Sequence, residues 1–192
     1  MRTTLVWLGI FALMPLGAGA QTPSCLVRGN VTPEELAARP SPLDSVSIPL
    51  GDGVAKLCYG APSARGRTMV GGQDPFGRPW RMGANEPTTL HLPFPATVGG
   101  IELDPGDYRL YAIPTEERWT IVVNGNVNRN SWGIPINEKV RAGDIGQFEV
   151  TPRHLDSFTE TLTFSFDRES ADRGAIVYAW ENRTFRIPIA RR

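Results

Sequence analysis

Apolar and polar positions alternate with a period of two along most of this chain. Leu162, Phe164 and Phe166 interleave with Thr161, Thr163 and Ser165, and Ile176, Tyr178 and Trp180 with Val177 and Ala179. A strand turns successive side chains to opposite faces, so this pattern predicts strands with one buried and one wetter face. Similar runs predict strands at Ser45–Leu50, Val54–Tyr59, Thr88–Leu92, Tyr108–Ile113, Trp119–Asn124, Gln147–Thr151 and Thr184–Ile189. Turn residues separate them at short intervals: Gly99-Gly100, Asp104-Pro105-Gly106-Asp107 and Asn124-Gly125-Asn126. Roughly nine or ten such strands predict an all-β fold, either an antiparallel β-sandwich or a jelly-roll-like barrel. Phe164, Tyr178 and Phe185 then face the space between the sheets.

Helical signals are few. Thr32-Pro33-Glu34-Glu35 is a capping box with proline in the first turn, and Pro40 limits that helix to about two turns. A second short turn of helix is predicted within Ile136 to Ala142. The chain contains no internal repeat and no low-complexity tract.

The N-terminus sets the compartment. Arg2 precedes an apolar run from Leu5 to Leu16, and Ala18-Gly19-Ala20 forms a small-residue cleavage site before Gln21. The run is too short to span a bilayer and is followed by polar sequence. Residues 1–20 read as a cleaved signal peptide, which predicts a periplasmic or secreted protein. Thr22-Pro23-Ser24 does not suit lipidation of Cys25. In an oxidising compartment the sole cysteine pair, Cys25 and Cys58, predicts one disulfide. The expected organisation is a leader at 1–20, a disulfide-tethered segment with the short helix at 21–40, and one β-sandwich domain at 41–192.

Charge then narrows the partners. Removing Arg2 with the leader leaves 19 basic residues, one fewer than the 20 in the chain, against 20 acidic ones. Such a balance gives no electrostatic footprint for nucleic acid or for an anionic membrane. No metal is expected either, since His91 and His154 stand at no ligand spacing from a cysteine.

The chemistry-bearing side chains concentrate between Tyr59 and Leu92. Arg65, Arg67, Arg78 and Arg81 lie there with Trp80, Asn85, Glu86 and His91, among glycines and prolines that break the strand pattern. Arginine presents a fixed fork of donors suited to carboxylate or phosphate, and beside a tryptophan plane it makes a directional pocket wall. Arg65, Arg67, Trp80, Arg81, Asn85, Glu86 and His91 are therefore the candidate ligand-binding residues. Arg65, Arg67, Arg81 and Glu86 are expected to converge on one polar cluster. A structural reading stands beside this one, in which Glu86 pairs with an arginine and pins a long loop to the sheet. Among the tryptophans, Trp119 and Trp180 read as packing, whereas Trp132 sits among Asn126, Asn128 and Asn130 and suits an exposed ring that stacks a sugar.

The order SPLDSVSIPLGDGVAKLCYGAPSARGRTMVGG, PFGRPWRMGANEPTTLHL, GDYRLYAIPTEERWTIVVN and ETLTFSF resembles domain-of-unknown-function family 2911, a group of exported bacterial proteins. The combined motifs YGxPSxRGRxxxGG, from Tyr59, and WRxGANExT, from Trp80, carry the resemblance. It implies a secreted or periplasmic all-β domain and implies no activity, so function rests on the residues themselves.

Catalytic signatures are absent from the sequence. There is no G-x-S-x-G elbow, no H-E-x-x-H, no phosphate-binding glycine loop and no dinucleotide fingerprint. No cofactor is expected. Gly51-Asp52-Gly53 and Asp104 to Asp107 read as turns before they read as calcium sites. The reading that follows is an exported binding or interaction module for a polar small molecule, sugar or peptide. The alternative is a hydrolase or lyase of an envelope polymer with Glu86 as acid/base, a role that needs a second carboxylate across a cleft.

Overall fold

The computed structural model describes residues 24–27, 29–127 and 135–192. The leader and Trp132 lie outside them. The elements are α1 (Pro33–Ala37), β1 (Leu43–Leu50), β2 (Gly53–Gly60), β3 (Thr88–Leu92), β4 (Ala96–Val98), β5 (Ile101–Leu103), β6 (Gly106–Pro114), β7 (Trp119–Asn124), α2 (Glu138–Arg141), β8 (Asp144–Val150), β9 (Arg153–Arg168) and β10 (Arg173–Arg191). Two antiparallel sheets form a β-sandwich, one ordered β1-β2-β3-β6-β7-β8 and the other β5-β4-β10-β9. The sheets do not close into a barrel, so of the two architectures that the alternation allowed, the jelly-roll-like barrel is excluded.

The phase of the alternation is the predicted one. Phe164, Tyr178 and Phe185 are all buried from the four-stranded sheet, and Tyr59 and Trp119 meet them from the six-stranded sheet. Tyr178 stacks on Phe185 at 4.4 Å, Trp119 packs edge-on to both at 5.4 and 5.1 Å, and Phe164 lies edge-on to Tyr59 at 4.8 Å. Such aromatic pairs add about 0.5–1.5 kcal/mol each beyond the area they bury.

Three features depart from the sequence reading. The runs predicted at Ile176–Trp180 and Thr184–Ile189 belong to one long strand, β10, which passes through two β-bulges between Ala179 and Arg183. The strands β4 and β5 were not predicted, because three residues are too few to display a period of two. The helix α1 is shorter than expected, with five residues in which Thr32 and Glu35 cap each other reciprocally, whereas α2, four residues with Asn137 as its N-cap, is the short turn expected there.

Cys25 and Cys58 form the disulfide, with Cα atoms 5.7 Å apart, tethering the segment before α1 to the inner strand β2. This bond fits an extracytoplasmic compartment. No helix among the described residues is long and apolar enough to cross a membrane.

The long connection from Ala61 to Pro87 is a strap sewn across the sandwich. Leu162 N–H donates to Pro62 O at 2.9 Å and Ala64 N–H to Glu160 O at 2.9 Å, joining its first part to β9. Further on, Gly77 N–H donates to Pro114 O at 2.8 Å, and Trp80 and Ala112 exchange two backbone bonds of 2.7 and 2.8 Å, joining it to β6. The strap returns so close to β2 that a Cβ on Gly60 would stand 2.1 Å from Ala84 O, an approach only glycine permits.

Candidate functional site

The strap carries every candidate ligand-binding residue except His91, and each of these candidates meets a group of this same chain. The Arg65 side chain donates to Pro40 O at 3.1 Å, while its backbone N–H donates to the Glu160 carboxylate at 2.6 Å. Arg67 turns back on its own loop, donating to Ala64 O at 2.9 Å and Ser63 O at 3.1 Å. Arg81 donates to Asn85 O at 2.7 Å, and Asn85 Nδ2 to Ser41 O at 2.8 Å. The buried Glu86 carboxylate accepts from Arg39 at 2.8 Å. Arg65, Asn85 and Glu86 thus come together, but on the segment Arg39-Pro40-Ser41 that follows α1. Glu86 pairs with Arg39, a cation outside the segment that the sequence singled out. The Trp80 ring is buried in the core, stacked on Trp180 at 5.7 Å. His91 is buried on β3, its Nδ1 2.6 Å from the Asp107 carboxylate across the β3–β6 pair.

Beneath the middle of the strap lies a second polar group. Glu181, buried on β10 with a left-handed φ of 54°, accepts the backbone N–H groups of Met69 at 2.9 Å and Val70 at 3.1 Å. A non-glycine residue in that region costs about 1–3 kcal/mol and persists where its surroundings over-determine it. Here two charge-assisted hydrogen bonds supply that determination. Burial, with the like charge of Glu181, pushes the nearby Asp74 carboxyl up to about 6, against an opposing pull from Arg81. Burial also holds the Tyr178 phenol well above its ordinary range.

A pH dependence follows from Asp74. Its folded-state pKa lies above the unfolded value of 3.8, so the folded protein binds the proton more tightly and loses stability as pH rises from 3.8 through 6. Asp74→Asn removes that loss. After discounting for the carboxyl's partial exposure, the variant is expected to gain about 1 kcal/mol at pH 7 and almost nothing at pH 3.5. Urea midpoints of both proteins across that range check this, and equal gains at both ends would refute it.

A second set of polar side chains gathers elsewhere, where β9 and β10 bend. From Ala179 to Arg183 β10 advances four residues while its partners on β9, Thr163 to His154, advance nine. Bulges of this kind bend a strand and re-aim its side chains. The bend opens a cavity of about 400 Å³ lined by Glu116, Pro152, Arg153, His154, Asn182 and Arg183. The side chains of Arg153, His154 and Glu116 have no hydrogen bond or ion pair with any other described residue. Arg183 is held 3.4 Å from Glu181, which orients its guanidinium. Asn182 Nδ2 donates to Leu155 O at 3.0 Å, leaving its oxygen as an acceptor.

A larger cleft of about 620 Å³ adjoins this cavity, and Arg153 lines both. Phe148 and Val150 of β8 face Val177, Phe185 and Pro188 of β10 across it. The sequence reading missed this region entirely. Its one trace is the polar triplet Glu181-Asn182-Arg183, which interrupts the alternation between two apolar runs.

The cavity presents both donors and acceptors. Arg153, Arg183 and the His154 imidazole offer donors to an oxyanion, and Glu116 and Asn182 offer acceptors to neighbouring hydroxyl or amino groups. Among the described residues no three His, Cys, Asp or Glu side chains are grouped to hold a metal ion.

No curated protein and no solved structure matches the chain. A family model described as "Protein of unknown function (DUF2911)" matches residues 41–189, which carry both sheets, the strap and the bend, and the chain belongs to that family.

Proposed function

We propose that this domain is an exported binding module that takes a small oxyanion-bearing ligand in the cavity at the β9–β10 bend. The observation that carries this reading is the pair of unpartnered groups, Arg153 and His154, facing Arg183 and Asn182 around one cavity. Arg153 and His154 are exposed and meet water in the free protein, and their convergence with Arg183 and Asn182 on one concave cavity is what suits them to a ligand's acceptors. The strap is read as structural, because Arg65, Arg67, Arg81 and Glu86 are engaged by Pro40, Ala64, Asn85 and Arg39. That engagement leaves Glu86 poorly placed for the acid/base role considered from sequence.

Thermal-shift measurements with phosphate, citrate, glucuronate and glutamate test this reading. A ligand present at about 100 times its Kd stabilises the native state by about 2.7 kcal/mol, a rise of roughly 5–10 °C for a domain of this size. Arg153→Gln is expected to weaken any such ligand at least tenfold while moving the ligand-free midpoint very little, since the side chain is exposed and unpaired. Unchanged affinity in that variant would place the site elsewhere.

A further inference from the structure

The cleft beside the polar cavity differs from it in what its charges are doing. Glu149 on its rim is paired with Arg118 at 3.0 Å, and Arg186 is paired with Asp167 and, at 2.7 Å, with Glu169. Each charged group there except Arg153 is therefore neutralised by a partner outside the cleft. What remains is apolar: Phe148, Val150, Val177, Phe185 and Pro188, with the hydroxyls of Thr151 and Thr184 at its edge. Thr184 already donates its hydroxyl to Tyr178 O at 2.7 Å. A cavity of this volume falls in the range that holds a small organic molecule, and its lining favours an uncharged body. The one unpaired charge, Arg153, stands where the cleft meets the cation-lined cavity.

We propose that the two cavities form one site and that its ligand is an amphipathic anion. A carboxylate or phosphate head lies among Arg153, His154 and Arg183, and an apolar body fills the cleft between β8 and β10. This rests on the reading of the polar cavity as an anion site and adds the class of molecule that site selects. Charge complementarity fixes the orientation, because a head at the far end of the cleft would meet only guanidinium and carboxylate groups that are already paired. The ligand is a free amphiphile and not a membrane surface, since the near-neutral chain offers no broad basic face to a bilayer.

A series of saturated monocarboxylates from butanoate to dodecanoate, titrated into the mature protein by calorimetry below their micelle concentrations, tests the proposal. Affinity is expected to rise about two- to fourfold for each methylene that enters the cleft and to level once it is full. Arg153→Gln should weaken every member at least tenfold. Val177→Asp, which puts a charge on the apolar wall, should weaken the long-chain acids far more than butanoate and so flatten the series. If that variant does not fold, Pro188→Asp, at an exposed position on the same wall, makes the same comparison. Octyl phosphate beside octanoate distinguishes the two head groups, and tighter binding of either one identifies it.

Other outcomes separate the two readings. Carboxylates that bind with no dependence on chain length, lost in Arg153→Gln, would leave the anion site standing and overturn the amphipathic ligand. Chain-length dependence that ignores Arg153→Gln would overturn the joined site. No binding by the alkyl acids, octyl phosphate, phosphate, citrate, glucuronate or glutamate would overturn both. Sedimentation of the ligand-free protein with phosphatidylglycerol vesicles would assign the apolar wall to a bilayer and overturn the proposal.

Discussion

Trp180→Ala is expected to destabilise the domain by about 3–5 kcal/mol. The side chain is fully buried near the bend in β10 and joins three parts of the fold at once. Its ring stacks on Trp80 of the strap, and its indole N–H donates to Glu160 O of β9 at 3.2 Å. That same carbonyl receives the Ala64 N–H of the strap. Alanine removes the apolar bulk and one of the two hydrogen bonds to Glu160 O, and leaves Trp80 with its stacking face against a void. Urea unfolding checks the magnitude, with an unchanged m-value required for the midpoint shift to be read as stability. A loss below about 1 kcal/mol would mean that the strap can collapse into the space. Hydrogen exchange at the Trp80 and Ala112 amides should accelerate in parallel, since their paired bonds hold the strap to β6.

Glu181→Ala is the second large effect, at about 3–5 kcal/mol. Its carboxylate oxygens accept from two buried backbone donors, Met69 and Val70. Bonds to a charged acceptor contribute about 1.5–3 kcal/mol each, and the stranded N–H groups add desolvation cost. Glu181→Gln is expected to lose less, about 1–2 kcal/mol, because an amide oxygen can still accept one of the two bonds. Equal losses in the two variants would show that charge, and not acceptor number, holds the strap. The backbone supplies a control. Glycine adopts a φ of 54° without strain, so Glu181→Gly should fall short of the alanine loss by roughly 1 kcal/mol.

The sandwich was legible because its information is local. Leu162 and Phe164 on β9, and Ile176, Tyr178 and Trp180 on β10, repeat within single strands, and the period alone assigns them to the buried face. The two cysteines were legible for a similar reason, being the sole pair in a chain whose N-terminal pattern predicts an oxidising compartment. The strap was half legible. Its residue types announced hydrogen bonding, but the partners of Arg65, Asn85 and Glu86 lie in Arg39-Pro40-Ser41, more than twenty residues earlier, and no pattern in either segment names the other. Trp80 was misleading, because a tryptophan between arginines reads as a pocket wall until the strap's path carries its ring inward.

The bend was the least legible part. In the sequence, Glu181-Asn182-Arg183 is a polar break between two apolar runs, which reads as a loop. Whether such a break becomes a loop or a bulge depends on the register of the neighbouring strand, here the nine residues of β9 set against four of β10. Register is a property of pairing and not of either strand alone. The cavity follows from that mismatch, and its cations come from segments that carry no shared motif.

The segment that bears α1 is anchored at both ends and only half covered at the described residues between them. Cys25 is bonded to Cys58, Arg39 is paired with Glu86, and no residue of the helix itself is buried. A five-residue helix with no packing face has little stability of its own. Its described residues between these anchors are exposed or at most half-buried, so the stretch resembles a bridge hung from two piers and is more accessible to a protease than the sheets are. A single cut there would leave two polypeptides travelling as one molecule until a reductant parts them, so the trimmed and the intact protein would be indistinguishable in size under native conditions.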